Sequence, residues 1–313
     1  MKNSIIGESD EMKKVFSAVE QIAPLEVTVL ITGESGTGKD LVAQNIHKLS
    51  GRREGPFVAV NTGAIAPELI SSELFGHEKG SFTGAMNRKK GKFEIAEEGT
   101  LFLDEVSTMS TNTQISLLRV LESREFQRVG GERFLRTNVR LIAATNENLQ
   151  AAIKDKKFRA DLFHRLNVFS ISLPPLRKRG DDILLLANHF LKQYCDEFNK
   201  KFLPLTEEVE NILLNYPWPG NVRELQNTMI RLAVTATKDK IGKEDLPDLI
   251  VNNSTDSSIL LIEVGSPIEA VERKLIEATL KKVNGKKNEA ADILGISRKA
   301  LYNKIQAYSS KEK

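Results

Sequence analysis

Gly33-Glu34-Ser35-Gly36-Thr37-Gly38-Lys39-Asp40 is the stretch from which the fold can be read. It follows the apolar run Val27-Thr28-Val29-Leu30-Ile31-Thr32 and opens a helical pattern. That strand-to-helix context is what a phosphate-binding loop requires. Glycines at 33, 36 and 38 let backbone N–H groups turn toward phosphate oxygens. Lys39 adds a charge at the β and γ positions, and the helix that starts there adds the positive end of its dipole. The residue after the lysine is Asp40, where such loops usually carry a Ser or Thr that ligates magnesium. Magnesium is therefore expected to rely on phosphates, water and another carboxylate. The expected ligands are ATP and Mg2+.

Working outward, Gly99-Thr100-Leu101-Phe102-Leu103-Asp104-Glu105 is an apolar run ending in two acids. Beside a phosphate loop, Asp104 is placed to hold the magnesium shell and Glu105 to orient and deprotonate an attacking water. Seen alone, the pair reads equally well as a strand end capped by solvated acids. Ala143-Ala144-Thr145-Asn146 ends a further strand, and its polar end, Asn146 included, is expected at the same edge, where it could sense the γ-phosphate. Phe57–Val60 and Val168–Leu173 are the remaining β-rich runs. Apolar runs separated by helical patterns predict a parallel sheet covered by helices on both faces, so residues 1–173 are read as an α/β core.

Pro174-Pro175 breaks this pattern, and only helical spacing follows. Ile183, Leu186, Ala187, Phe190, Leu191 and Tyr194 recur on one face. Thr206 can cap the next helix, with Glu207 and Glu208 in its first turn. Asn221 and Glu224 stand at capping-box spacing for a third. Residues 174–250 are thus an all-helical lid. The polar run Asn252–Ser258 predicts a linker over 251–265, and 266–313 form a final helical module.

Composition sets broad limits. The 313 residues are 40% hydrophobic and 28% charged, as in ordinary soluble domains. The single cysteine, Cys195, excludes an internal disulfide, and four scattered histidines lack metal-ligand spacing. No apolar run approaches the ~20 residues that cross a bilayer, so a cytoplasmic protein without membrane partners is expected. Net charge is +3, but residues 266–313 hold eleven Lys/Arg against six Asp/Glu. A basic tail on a near-neutral body suggests a small polyanion-binding module. Within it, Asn288 to Ile305 reads as helix, tight turn at Gly295, then helix capped by Ser297. Leu301, Ile305 and Tyr308 face inward, leaving Arg298, Lys299, Tyr302, Asn303 and Gln306 for phosphates and base edges.

Gly80-Ser81-Phe82-Thr83-Gly84-Ala85 is the second informative motif. It sets one large ring between small residues whose glycines favour a loop. Phe82 on such a tip is either a contact surface for another protein or folded back onto the core.

Together these motifs resemble the bacterial sigma-54-dependent transcription activators, a branch of the AAA+ ATPases, from Ile5 to about Tyr308. That family's sigma-contacting loop is usually Gly-Ala-Phe-Thr-Gly-Ala, so Ser81 replaces an alanine here; a small-for-small change is expected to leave the loop working. The family normally carries Glu at the position of Asp40, so the missing Ser/Thr is shared. The resemblance implies that Asn61 holds Glu105 from water until the loop engages its target. It implies that Arg159 and Arg165 are arginine fingers reaching a neighbour's γ-phosphate, although surface ion pairs are the default for either. Arg223, in Trp218-Pro219-Gly220-Asn221-Val222-Arg223-Glu224-Leu225, would be a second sensor, and Ile6 and Gly7 would lie near adenine. The tail resembles a Fis-type helix-turn-helix, and the helix from Ile268 to Val283 could pair two chains.

The function implied is an ATP-hydrolysing, enhancer-binding activator, a homo-oligomer from dimer to hexameric ring. It would remodel the sigma-54 polymerase closed complex through Gly80–Ala85. The alternatives are an AAA+ DNA-binding regulator that does not drive sigma-54, another AAA+ machine, and a non-enzymatic transcription factor. The intact loop, the basic tail and the set of Lys39, Asp104, Glu105 and arginines respectively weigh against these. Because the ATPase motifs begin beside Met1, no sensing domain is expected before them. Control is then expected from a separate regulatory protein, unless a preceding segment was trimmed.

Overall fold

The computed structural model describes residues 5–81, 85–236, 239–255, 267–283 and 285–310. Helix α1 (Asp10–Ile22) is capped by the Ser9 hydroxyl and buries Met12, Val15, Val19 and Ile22 at helical spacing. After it come β1 (Val29–Thr32), α2 (Lys39–Lys48), β2 (Phe57–Asn61), α3 (Pro67–Phe75), the short β3 (Gly76–His77) and β4 (Lys89–Lys90), and α4 (Lys92–Ile95). The core is completed by β5 (Thr100–Asp104), α5 (Thr111–Ser123), β6 (Glu125–Gln127), β7 (Phe134–Arg136), β8 (Arg140–Thr145), α6 (Leu149–Lys154), α7 (Ala160–Leu166) and β9 (Phe169–Ser172).

The main sheet has five parallel strands in the order β2-β5-β8-β1-β9. Its three inner strands are buried over almost their whole length, as a sheet covered on both faces demands. One face packs a cluster containing Ile70, Leu74, Leu101, Leu103, Leu117 and Leu162. The other packs Met12, Val29, Ile31, Val42, Ile46, Phe102 and Ile142. The expected α/β core is therefore present, with strand ends moved by one or two residues. Two small antiparallel pairs, β3–β4 and β6–β7, were not signalled by sequence. Strands of two or three residues are too short for an apolar alternation to register.

Beyond β9 the elements are helical: α8 (Asp182–Glu197), α9 (Glu207–Asn215), α10 (Asn221–Thr235) and α11 (Asp248–Thr255). Helices α8 and α10 pack along each other, in the same compact unit as the sheet. Thr206 accepts from the Val209 N–H, as its capping role predicts. Asn221 does not form the predicted capping box: Gly220 is the cap residue, and Glu224 accepts from the Gly220 N–H at 2.8 Å. Helix α11 also runs into the stretch read as a linker from 251. Its start after Pro247 and the burial of Ile250 carry the helix into residues whose polar composition alone suggested a loop.

A second compact unit contains α12 (Ile268–Lys282), α13 (Lys287–Leu294) and α14 (Arg298–Ser310). Ile276, Ala290, Ala291 and Leu301 form its small core, with Leu280, Ile305 and Tyr308 packed against it. Gly295 takes φ +64° at the turn, and the Ser297 hydroxyl accepts from Ala300 N–H.

Phe102, 2% exposed and stacked on Phe57, tests the core. Phe102→Ala should cost about 3–5 kcal/mol of stability, read as a lower denaturation midpoint of the sheet-containing unit.

Candidate functional site

Parallel register assembles the site. Asn61 lies opposite Asp104, and Thr32 opposite Thr145, at the carboxyl ends of β2, β5, β1 and β8. Ligands of open α/β sheets bind outside that edge. The loop from Gly33 to Gly38 leaves β1 there and enters α2, with Gly33, Gly36 and Gly38 at φ +157°, +76° and +94°. A side chain on Gly36 would place its Cβ 2.3 Å from the Gly220 carbonyl oxygen, so the position requires glycine for space as well as conformation. Lys39 is 8% exposed, and its ammonium donates to the carbonyls of Gly33 (2.9 Å) and Glu34 (3.1 Å). Burial lowers its pKa, while the carboxylates of Asp104 and Glu105 oppose that shift.

Next to the loop is a cavity of about 300 Å³. Gly36, Thr37, Gly38 and Asp40 line one end, and Ile5, Ile6, Leu186, His189 and Phe190 give it apolar and aromatic walls. Arg223 also reaches it. A chamber with apolar walls at one end and a glycine-rich loop and helix start at the other suits a base and phosphates together, so the residues fit ATP. Gly7 does not line the cavity; it rests against Met12 and Asp182. Asp182 fixes this entrance segment by accepting from Glu8 N–H (2.6 Å), Ser9 N–H (3.0 Å) and the Ser9 hydroxyl (2.5 Å).

The acid pair sits at the same edge. Glu105 has φ +58°, and its N–H donates to Asp104 Oδ1 at 3.0 Å. Thr62 donates toward the carbonyls of Asp104 and Glu105, tying the end of β2 to the end of β5. No group of three or more His, Cys, Asp or Glu that could hold a metal occurs among the described residues. A magnesium ion would therefore take Asp104 with phosphate and water oxygens, as the hard cation commonly does. Asn61 accepts from Ala64 N–H, and no Asn61–Glu105 hydrogen bond occurs among the described residues. Glu105 instead lies against Gly63, where an added Cβ would stand 1.8 Å from Oε2 and 3.3 Å from Asn61 Oδ1. Asn146 is exposed just beyond β8. Arg159 pairs with Asp161 at 2.6 Å, Arg165 is exposed, and neither lines the cavity of its own chain.

Of the Gly80–Ala85 loop, Phe82, Thr83 and Gly84 lie outside the described residues. Its neck is closed by Gly80 N–H donating to the Ala85 carbonyl at 2.8 Å. Beside it the 6%-exposed Arg128 side chain bonds Glu78 (2.8 Å) and Glu94 (2.5 and 2.9 Å). These bonds raise the Arg128 pKa and lower that of Glu94. Ser81 packs on Gly130, which has φ +75°, and its hydroxyl oxygen is buried without a partner. In the helical tail Arg298, Lys299, Tyr302 and Asn303 are all exposed; the side chain of Gln306 lies outside the described part.

Residues 5–172 match the sigma-54 interaction domain, more than half of the chain. The chain belongs to that family. Residues 177–259 match the AAA+ ATPase lid domain, and 267–308 match the bacterial regulatory proteins of the Fis family. Among curated relatives, it is 45% identical to the transcriptional regulatory protein ZraR of Escherichia coli, over 96% of this chain and 68% of the relative. It is 43% identical to the nitrogen fixation protein AnfA of Azotobacter vinelandii, over 98% of this chain and 57% of AnfA. The crystal structure of NtrX from Brucella abortus in complex with ATP superimposes with a TM-score of 0.75 at 34% identity, covering 97% of this chain and 69% of NtrX. This member of the sigma-54 interaction family thus combines an AAA+ core, a helical lid and a Fis-type helix-turn-helix.

Sequence reading missed several positions in this family member's site. Gly63, Asp182, Arg177 and Arg179 gave no motif, because their roles depend on partners far away in the chain. Arg177 makes a two-pronged bond to Glu34 (2.6 and 2.8 Å), which pulls the Glu34 carboxyl down to about 2. Arg179, 2% exposed, donates to the carbonyls of Thr37 and Pro174. Burial lowers its pKa to about 10.

A carboxyl depressed from 4.5 to about 2 contributes stability above pH 4.5 and loses it as pH falls toward 2. The thermal midpoint gap between the unsubstituted chain and Glu34→Gln should be constant from pH 5 to 8. It should narrow steadily below pH 4.5.

Proposed function

We propose that the chain is an ATP-hydrolysing, enhancer-binding activator that remodels the sigma-54 polymerase closed complex. The carrying observation is that two chain segments leave the acid edge and meet again at the loop neck. From Asn61 the chain passes through the 62–64 turn and α3 to His77, Glu78 and Gly80. From Glu105 it passes through α5 and β6 to Arg128 and Gly130. There Arg128 bonds Glu78, and Val129 exchanges backbone hydrogen bonds with Gly76 and Glu78. On this reading a change in the Glu105–Gly63 contact has two routes to the segment that carries Phe82 and Thr83.

On this reading Lys39, the loop N–H groups and Arg223 bind the phosphates, and Ile6 with the cavity walls holds the base. When bound, magnesium ATP supplies the bond whose cleavage drives the cycle. Glu105 takes the proton of the attacking water, Asp104 holds the metal shell, and Asn146 senses the terminal phosphate. Glu105 lies against Gly63; on this reading Asn61 holds it there, away from the attacking water, until the loop engages its target. Arg159 and Arg165, outside their own cavity, serve a neighbouring subunit, so activity requires a homo-oligomer, with a ring the natural closed form. Fingers of this kind contribute roughly 10³–10⁵ in rate in other nucleotide hydrolases.

The loop residues Gly80 to Ala85 meet sigma-54. Arg298, Lys299, Tyr302, Asn303 and Gln306 meet double-stranded DNA, with paired modules reading half-sites ~34 Å apart. No helix among the described residues is long and apolar enough to cross a membrane. A regulator that binds DNA without driving sigma-54 is the other reading, and the retained loop weighs against it.

Thr83→Ala should hydrolyse ATP and bind DNA at unsubstituted levels yet fail to open a sigma-54 promoter in a purified transcription assay. Full activation by Thr83→Ala would refute the role of the loop. Gly63→Ala should push the Glu105 carboxylate out of its parked position and raise basal ATP turnover by up to roughly tenfold with nucleotide affinity unchanged. A fall in turnover would mean that the position against Gly63 is the working one.

A further inference from the structure

The phosphate loop has two faces. An N–H group that serves an anion leaves the carbonyl of its own peptide unit pointing the other way, in need of a donor. Lys39 meets the carbonyls of Gly33 and Glu34, and the lid and its lead-in meet the next three in series. Asn221 Nδ2 donates to Ser35 O at 3.0 Å, Arg223 N–H to Gly36 O at 3.3 Å, and Arg179 to Thr37 O at 2.9 Å. Asn221 Nδ2 also reaches Glu34 Oε2 at 3.1 Å, and Asn221 Oδ1 accepts from Leu176 N–H at 2.8 Å.

Asn221 is the hub of this seam. It is 0% exposed and sits at φ +53°, a conformation that costs a side-chain-bearing residue energy and that asparagine tolerates best after glycine. Its amide uses both donors and its acceptor on three different backbone or carboxylate partners. A glycine would adopt the same backbone without strain, yet would leave Ser35 O and Leu176 N–H without these bonds.

We propose that Asn221 is a positioning residue for nucleotide binding. By holding the outer face of the phosphate loop it keeps the inner N–H groups aimed at phosphate, and it makes seating of the lid and occupation of the phosphate site a single equilibrium. The assignment rests on the nucleotide-site reading above and extends it from the residues that touch phosphate to one that does not. Asn221 works through the backbone of Ser35 and through Glu34. Arg177, with its two-pronged grip on Glu34, supports it from the solvent side.

The test is release of fluorescently labelled ADP from the full chain, with steady-state ATP turnover measured alongside. Asn221→Gly removes the amide but keeps the backbone conformation. Asn221→Asp keeps the acceptor for Leu176 N–H and sets a carboxylate against Glu34 and the Ser35 carbonyl. Losing one or two buried hydrogen bonds predicts roughly tenfold faster ADP release and a KM for ATP raised by about the same factor. kcat should stay within about twofold, because Asn221 touches no reacting group. Trp218, the single tryptophan and fully buried three residues away, should report lid seating through its own fluorescence on ADP addition. In Asn221→Gly that signal should shrink.

Wild-type release by a folded Asn221→Gly would overturn the assignment while leaving the nucleotide site standing. Absence of ADP binding to the unsubstituted chain would overturn both. Should Asn221→Gly fail to fold, Arg177→Ala probes the same seam at a residue 41% exposed. ADP release several-fold faster supports the proposal; unchanged release contradicts it.

Discussion

Backbone hydrogen bonds between β2, β5, β8 and β1 hold Asn61 opposite Asp104 and Thr32 opposite Thr145. Everything chemical in the molecule is referred to that register. It brings the loop leaving β1, the acids ending β5 and the turn leaving β2 to one edge. A slip of a single residue would exchange the two faces of a strand and scatter these groups. The two apolar clusters above and below the sheet fix the register, because Phe102 and Ile142 must meet one cluster while Leu101, Leu103, Leu141 and Ala143 meet the other.

Given that edge, the phosphate loop is shaped from both sides. Glycines at 33, 36 and 38 take positive φ, Lys39 meets the carbonyls of residues 33 and 34, and those of residues 35, 36 and 37 are met by donors from residues 179 to 223. Asp182 in turn ties down the segment carrying Ile5 and Ile6 at the cavity. The lid is thus bonded both to the loop that would hold phosphates and to the strand-free segment that would meet the base. On the proposed reading, nucleotide exchange and lid movement are linked.

Much of this was legible in the chain. The octapeptide at 33–40 lies in its required strand-to-helix setting, four of the five parallel strands carry continuous apolar runs of three or more residues, and the helix-turn-helix carries both Gly295 and its cap Ser297. Local periodicity and turn chemistry suffice for such features. Asn221 shows where that reasoning stops: its spacing from Glu224 suggested a cap, whereas its amide bonds residues 34, 35 and 176. Gly63 and Arg128 are similar, since close approach to Glu105 and pairing with Glu78 and Glu94 exist only after folding. Asn61, expected to hold Glu105, accepts from Ala64 N–H and makes no hydrogen bond to Glu105 among the described residues. Sequence motifs name the groups present but not the rotamer each adopts in one state.

On the proposed function, with Arg159 and Arg165 outside the cavity of their own chain, catalysis is a property of neighbouring subunits. The most direct test is ATP turnover per chain measured across a wide range of protein concentration. Specific activity should be near zero when dilute and rise cooperatively as subunits assemble. Specific activity independent of concentration, from a species that stays monomeric, would contradict it.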